Sequence, residues 1–120
     1  MAGKAELPNV VSQFTSGAGA GQRVAMNGHI DVFPVGYNSG WDRGGPWSGH
    51  SDGHAIYGRG TVDMKAGTAA SVIAYAYLHS LRETLKGSVA LSVVSDEETG
   101  GRWGSRWLLD VSEEQWEVIA

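Results

Sequence analysis

The chain has no cysteine among its 120 residues. That absence excludes disulfides, thiolate zinc sites and a cysteine nucleophile together. Any metal bound here must therefore use histidine and carboxylate. Long hydrophobic runs are missing as well. Nothing approaches the roughly 18 apolar residues of a membrane span, and the opening Met1-Ala2-Gly3-Lys4-Ala5-Glu6-Leu7 has no apolar stretch of a secretory leader. A soluble, cytoplasmic protein is the expectation. Positive charge is also in short supply, with 9 Lys and Arg against 13 Asp and Glu and a net charge of −4. Such a surface has no general attraction to nucleic acid or to an anionic membrane, so neither is expected as a partner.

What remains is ordinary globular composition, 42% hydrophobic and 18% charged, enough for one small domain or a piece of one. Glycine is abundant and clustered, at 17, 19 and 21 and again between Gly36 and Gly53. Loops of this kind are where sites are commonly built.

The Val-rich stretch 9–14 reads as a strand, and 23–27 as a second, with the glycine run between them as a hairpin or loop. A nucleotide-binding fingerprint would need the spacing G-x-G-x-x-G and a helix to follow; here the run is G-x-G-x-G and a strand follows. His29 to Pro34 leaves the second strand, and a long loop from 36 to 53 carries Trp41, Pro46 and Trp47. Ala55-Ile56-Tyr57 reads as a short strand. Next, Ala69, Val72, Ile73, Ala76, Tyr77, Ser80 and Leu81 recur at helical spacing. They predict a helix over 64–82, with Asp63 placed like its N-cap and Gly87 as the break. Residues 88–94, Ser-Val-Ala-Leu-Ser-Val-Val, are nearly continuously apolar, as in a parallel strand covered on both faces. Strand 23–27, helix 64–82 and strand 88–94 then form a right-handed βαβ crossover, the core of an α/β fold over 23–94. A shorter helix is expected from Gly100 through Trp103, Trp107 and Leu108, and another element begins within 111–120.

In open α/β sheets, ligands bind beyond the carboxyl ends of the strands. His29 and Asp31 follow one such end, Asp96-Glu97-Glu98 follow the other, and Asp63 opens the helix between them. Taken singly, a histidine after a strand, an aspartate before a helix and an acidic triplet are commonplace. Together they face one crevice. Histidine and carboxylates without cysteine suit zinc first, then manganese or cobalt. A central Asp63 has two oxygens and could join two cations about 3.5–4 Å apart. Asp31 is suited to accept the second imidazole N–H of His29, and one of Glu97 and Glu98 can ligate while its neighbour works on a water. His50 and His54 flank a Ser51-Asp52-Gly53 turn signal and are read as loop residues, and His79 as surface or packing.

Three motifs, in order, resemble the M20 metallopeptidases. They are Asn27-Gly28-His29-Ile30-Asp31-Val32-Phe33-Pro34, then Tyr57-Gly58-Arg59-Gly60-Thr61-Val62-Asp63-Met64-Lys65, then Ser95-Asp96-Glu97-Glu98-Thr99-Gly100-Gly101. The resemblance runs from about residue 8 to 109. It implies a three-layer α/β catalytic domain with a mixed, mostly parallel sheet, and a two-zinc site in which His29 ligates one ion, Asp63 bridges both and Glu98 ligates the second. Glu97 would be the general base, Asp31 would orient His29, and the Asp63–Met64 peptide would be cis. Substrates would be N-acyl amino acids or short peptides, cleaved at an amide bond; the Trp41–Trp47 loop would border their pocket or simply anchor the core. Members of the family are several times this long. The 120 residues are thus expected to hold a partial catalytic domain, without the lid or dimerisation domain through which a full-length form would make a homodimer. A later acidic ligand and a late histidine ligand have no counterpart here, so weak zinc binding and little turnover are expected of the chain alone. The alternative is a catalytically inactive remnant or binding module.

Overall fold

In the computed structural model, which describes residues 4–111, the central strand is the last of the described strands in chain order. β5 (Ser88–Val94) lies between β1 (Val10–Thr15) and β2 (Arg23–His29), giving the order β1-β5-β2. Its apolar run is explained by that position, for Val89, Ala90, Leu91 and Val94 form the buried apolar core, and Val94 is wholly enclosed. β2 runs parallel to β5, from Arg23 beside Ser88 to His29 beside Val94. β1 runs antiparallel to β5, with Val10 beside Val93 and Thr15 beside Ser88.

The sheet is therefore mixed, as expected, but not mostly parallel: one of its two pairings is antiparallel. A second, two-stranded antiparallel ribbon joins β3 (His50–Ser51) to β4 (Ile56–Tyr57). The reason lies in the glycine run. A loop of seven residues between β1 and β2 reverses the chain but does not pair the two strands with each other; it straddles the end of β5, so one neighbour must oppose it. Ser16 N–H donates to the Gly87 carbonyl at 2.8 Å and Gly87 N–H to the Gly19 carbonyl at 3.0 Å. At this crossing a Cβ on Gly87 (φ +88°) would sit 2.0 Å from the Gln22 carbonyl oxygen, so only glycine fits. Close backbone approach is what this glycine provides, and a strand rather than a helix follows the run.

The crossover helix α1 (Ala66–Ser80) starts later than the periodicity suggests. Thr61–Lys65 forms a wide turn in which Asp63 and Met64 have non-helical backbone angles, and the Asp63–Met64 peptide is cis. Asp63 thus stands one turn ahead of α1 and does not cap it; no side chain caps the N-terminus of this helix. α1 lies against β1 through Tyr75, whose hydroxyl is 2.8 Å from Ser12 Oγ, and Phe14 meets the rings of Tyr75 and His79 edge-on. On β2, Gly28 lets the helix come close: a Cβ there would be 2.6 Å from Thr68 Oγ1. The face turned to the sheet is that of Thr68 and Tyr75, whereas Val72, Ile73 and Tyr77 of the apolar stripe are 44%, 70% and 66% exposed. α2 (Ser105–Val111) begins after a turn that contains Trp103. The element expected over 111–120 falls, beyond Val111, outside the described residues. Among the described residues no helix is long and apolar enough to cross a membrane.

Candidate metal centre

The parallel ladder delivers His29 to the carboxyl end of β2, and its last rung, Ile30 N–H to the Val94 carbonyl at 2.9 Å, fixes where the strand ends. There the His29 carbonyl accepts the Thr68 hydroxyl at 3.0 Å, and the ring is buried at 3% exposure. Nδ1 lies 3.0 Å from the Asp31 backbone carbonyl and 3.4 Å from the carboxylate Oδ1 of the same residue. A carbonyl only accepts, so Nδ1 carries the hydrogen. Nε2 is turned the other way, 3.1 Å from Asp63 Oδ1 and 3.6 Å from Glu97 Oε2.

Asp31 does double service. Its Oδ2 accepts the Glu98 backbone N–H at 2.9 Å, tying the turn after β5 to the turn after β2. Glu98 answers across the same gap, for its Oε1 accepts the Phe33 N–H at 3.0 Å. Donor atoms of His29, Asp63 and Glu98 all lie within 4.8 Å of one another. Asp63 and Glu97, at 72% and 53% exposure, form the open side, while His29 forms the floor.

Asp96, the first residue of the acidic triplet, turns inward. Its Oδ1 takes the Thr99 hydroxyl and its Oδ2 takes the Trp103 N–H at 2.7 Å, while its carbonyl accepts the Gly101 N–H at 2.7 Å. The Thr99 hydroxyl first, then the Trp103 N–H, hold its carboxyl below the usual range. Asp96 thereby folds the turn that presents Glu97 and Glu98. His50 and His54 stay out of the cluster: His50 leans on the Tyr57 ring, and the His54 N–H caps Asp52.

The electrostatics of the cluster ask for positive charge. Burial, the largest single influence, works to lower the His29 pKa. The Asp31 carbonyl, the Asp63 carboxylate and the charges of Asp31 and Glu97 outweigh it, leaving the pKa above its ordinary 6.5. With Nδ1 committed to a carbonyl, a neutral His29 turns its Nε2 lone pair onto two carboxylate oxygens. Three electron-rich atoms in that arrangement repel unless a proton or a cation lies among them. An imidazole nitrogen with carboxylate oxygens is a fitting donor set for a borderline or hard divalent ion, and the carbonyl behind Nδ1 is the support such a ligand usually has. Sequence reasoning had no means of finding Thr68 or the inward role of Asp96, since neither a hydroxyl-to-carbonyl bond nor a buried turn anchor has a spacing rule.

The chain is similar to succinyl-diaminopimelate desuccinylases. It is 38% identical to the protein of that name from Paracoccus denitrificans over 104 residues, which is 87% of this chain and 26% of the relative. Identity to the one from Methylorubrum extorquens is also 38% over 104 residues, 86% of this chain and 27% of the relative. The Rickettsia prowazekii protein is 31% identical over 107 residues, 89% of this chain and 28% of its own length. The chain thus spans about a quarter of the length of the curated relatives it matches. The family described as Peptidase family M20/M25/M40 matches residues 25–120. Since that match takes in most of β2, the crossover and the whole His29–Asp63–Glu98 cluster, the chain belongs to peptidase family M20/M25/M40.

Proposed function

We propose that the chain carries part of the active site of a zinc-dependent hydrolase that cleaves the amide bond of an N-acyl amino acid or short peptide. Its relatives are named desuccinylases, which makes N-succinyl amino acids the first substrates to try. The observation that carries the reading is the meeting of His29, Asp63 and Glu98 at the carboxyl ends of two parallel strands, with Glu97 beside them.

In this reading His29 and Asp63 would hold one cation, and Asp63 and Glu98 a second, with zinc the first choice and cobalt or manganese the alternatives. Bound there, such ions supply Lewis acidity to a carbonyl oxygen and acidity to a water. The side chains do the rest. Glu97, whose exposed carboxylate lies 3.6 Å from His29 Nε2, would take a proton from the attacking water and hand it to the departing amine, a transfer that contributes roughly 10²- to 10⁴-fold. The Asp31 carbonyl keeps the hydrogen on Nδ1 of His29, so that Nε2 is available to ligate. The remainder of a catalytic domain, including a lid or dimerisation domain and two further ligands, belongs to the whole protein in this reading.

Glu97→Gln tests the assignment. In the whole protein it should retain zinc, measured by calorimetry, and lose hydrolysis of N-succinyl amino acids by roughly 10²- to 10⁴-fold. Unchanged turnover would remove Glu97 from proton transfer, and loss of zinc in the variant would make it a ligand instead.

A further inference from the structure

The candidate centre is carried on two short stretches that lie side by side: residues 30–34, leaving β2, and residues 59–65, approaching α1. They are fastened at both ends by cations. At one end Arg59 Nη2 donates to the Pro34 carbonyl at 3.3 Å, and its guanidinium lies over the Trp41 ring with 5.3 Å to the centroid. At the other, Lys65 Nζ donates to the Ile30 carbonyl at 2.5 Å. Next to Arg59, Gly60 (φ +80°) passes so near Val32, midway along the first stretch, that a Cβ would come within 2.6 Å of its Cγ1. The stretches are therefore antiparallel and held at two ends and a middle. Asp31 lies within the first and Asp63 within the second, while His29 adjoins the carbonyl that Lys65 holds.

The choice of acceptors is informative. Two cations stand on the segment that bears Asp63, in a site rich in carboxylates, yet among the described residues neither forms an ion pair with one. Each donates instead to a backbone carbonyl. A lysine or arginine on Asp63 or Glu98 would occupy the oxygens that a metal ion needs; on a carbonyl it fixes distance and leaves those oxygens open. A carbonyl bonded to a cationic donor is also a stronger tie than a neutral pair.

We infer that Arg59 and Lys65 are positioning residues of the centre, clamping the Asp63 segment to the His29–Asp31 segment so that Nε2 and Oδ1 face each other at metal-binding separation. The inference rests on the metal reading given above. Two measurements on the full chain separate its failure from the failure of that reading. The first is amide hydrogen exchange without metal, followed at the Lys65 N–H, which bonds the Gly60 carbonyl at 2.9 Å. The second is Zn²⁺ affinity by competition with a chromophoric chelator.

Lys65→Met should speed exchange in residues 61–65 while leaving α1 protected. It should weaken Zn²⁺ binding about 10- to 100-fold, the range for supports behind metal ligands. Arg59→Met should act in the same direction, and Lys65→Arg, which keeps a cationic donor, should restore most of the affinity. If the parent binds Zn²⁺ and the variants match it in both measurements, the clamp is wrong and the metal centre stands. Exchange that rises throughout α1, with affinity falling only as far as melting does, makes Lys65 a structural residue and overturns the inference. A parent that binds no Zn²⁺ overturns the metal reading, and with it any role for these cations at a metal centre, whatever exchange shows.

Discussion

His29 is held by acceptors on both sides, and this makes its proton a pH-dependent part of the fold. Without metal, the raised pKa means that the folded state prefers the imidazolium. That stabilisation is complete below the unfolded value of 6.5 and fades as pH rises through the folded value. The metal-free chain should therefore melt at a lower temperature as pH climbs past 6.5, and His29→Gln should flatten that slope. Zinc should reverse the trend, because ligation needs the deprotonated Nε2 and improves with pH. A thermal-melt series with chelator and with Zn²⁺ checks both halves. His29, Asp31, Asp63, Glu97 and Glu98 could be picked out as candidates because each is a titratable residue near an expected strand end or helix start; that donor atoms of His29, Asp63 and Glu98 come together is what the structure adds. Arg59 and Lys65 were visible in the same motif, but nothing in their spacing says that they bond to carbonyls.

Among the elements, β2 and β5 were legible to within a residue or two, β5 from its nearly continuous apolar run and β2 from Val24-Ala25-Met26 after the glycine-rich loop. The contact face of α1 was not. Its most apolar stripe looks outward, while Thr68 and Tyr75 look in, because a sheet surface holding Gly28 and Ser12 accepts a close hydroxyl better than a bulky branched side chain. Gly28→Ala should accordingly cost about 1–3 kcal/mol, by pushing Thr68 from its place over β2; urea denaturation would measure it. The turn after β5 makes a separate prediction. The lowered pKa of Asp96 stabilises the fold at every pH above its ordinary 3.8, and this is lost as pH falls through the folded value. Asp96→Asn should be less stable than the parent at neutral pH and should lose less on acidification, as followed by circular dichroism.

At the scale of the molecule, apolar surface is left uncovered. Ile73 and Tyr77 on α1 and Val10 and Val11 on the edge strand β1 are between 48% and 70% exposed. Surface of this kind promotes self-association. The chain should sediment as associated species at high concentration, and Ile73→Lys with Tyr77→Lys should shift it toward the monomer. An unshifted distribution would clear the helix stripe and leave the edge strand responsible. Strand order was the feature least accessible from sequence: nothing in the residues of β1 tells that its partner is β5 rather than the neighbouring β2, because the path of a glycine loop decides it.

That order carries a consequence for synthesis. Among the described strands β1 leaves the ribosome first and its partner β5 last, with Val10 waiting for Val93. Until β5 is made, neither β1 nor β2 has its hydrogen-bonding neighbour, and every local contact formed before then lacks the strand that would hold it. Long-range pairing of this kind is slow to close. Between the synthesis of Val10 and that of Val93 the nascent chain carries a valine-rich strand awaiting its template, the interval in which a chaperone would have most to do.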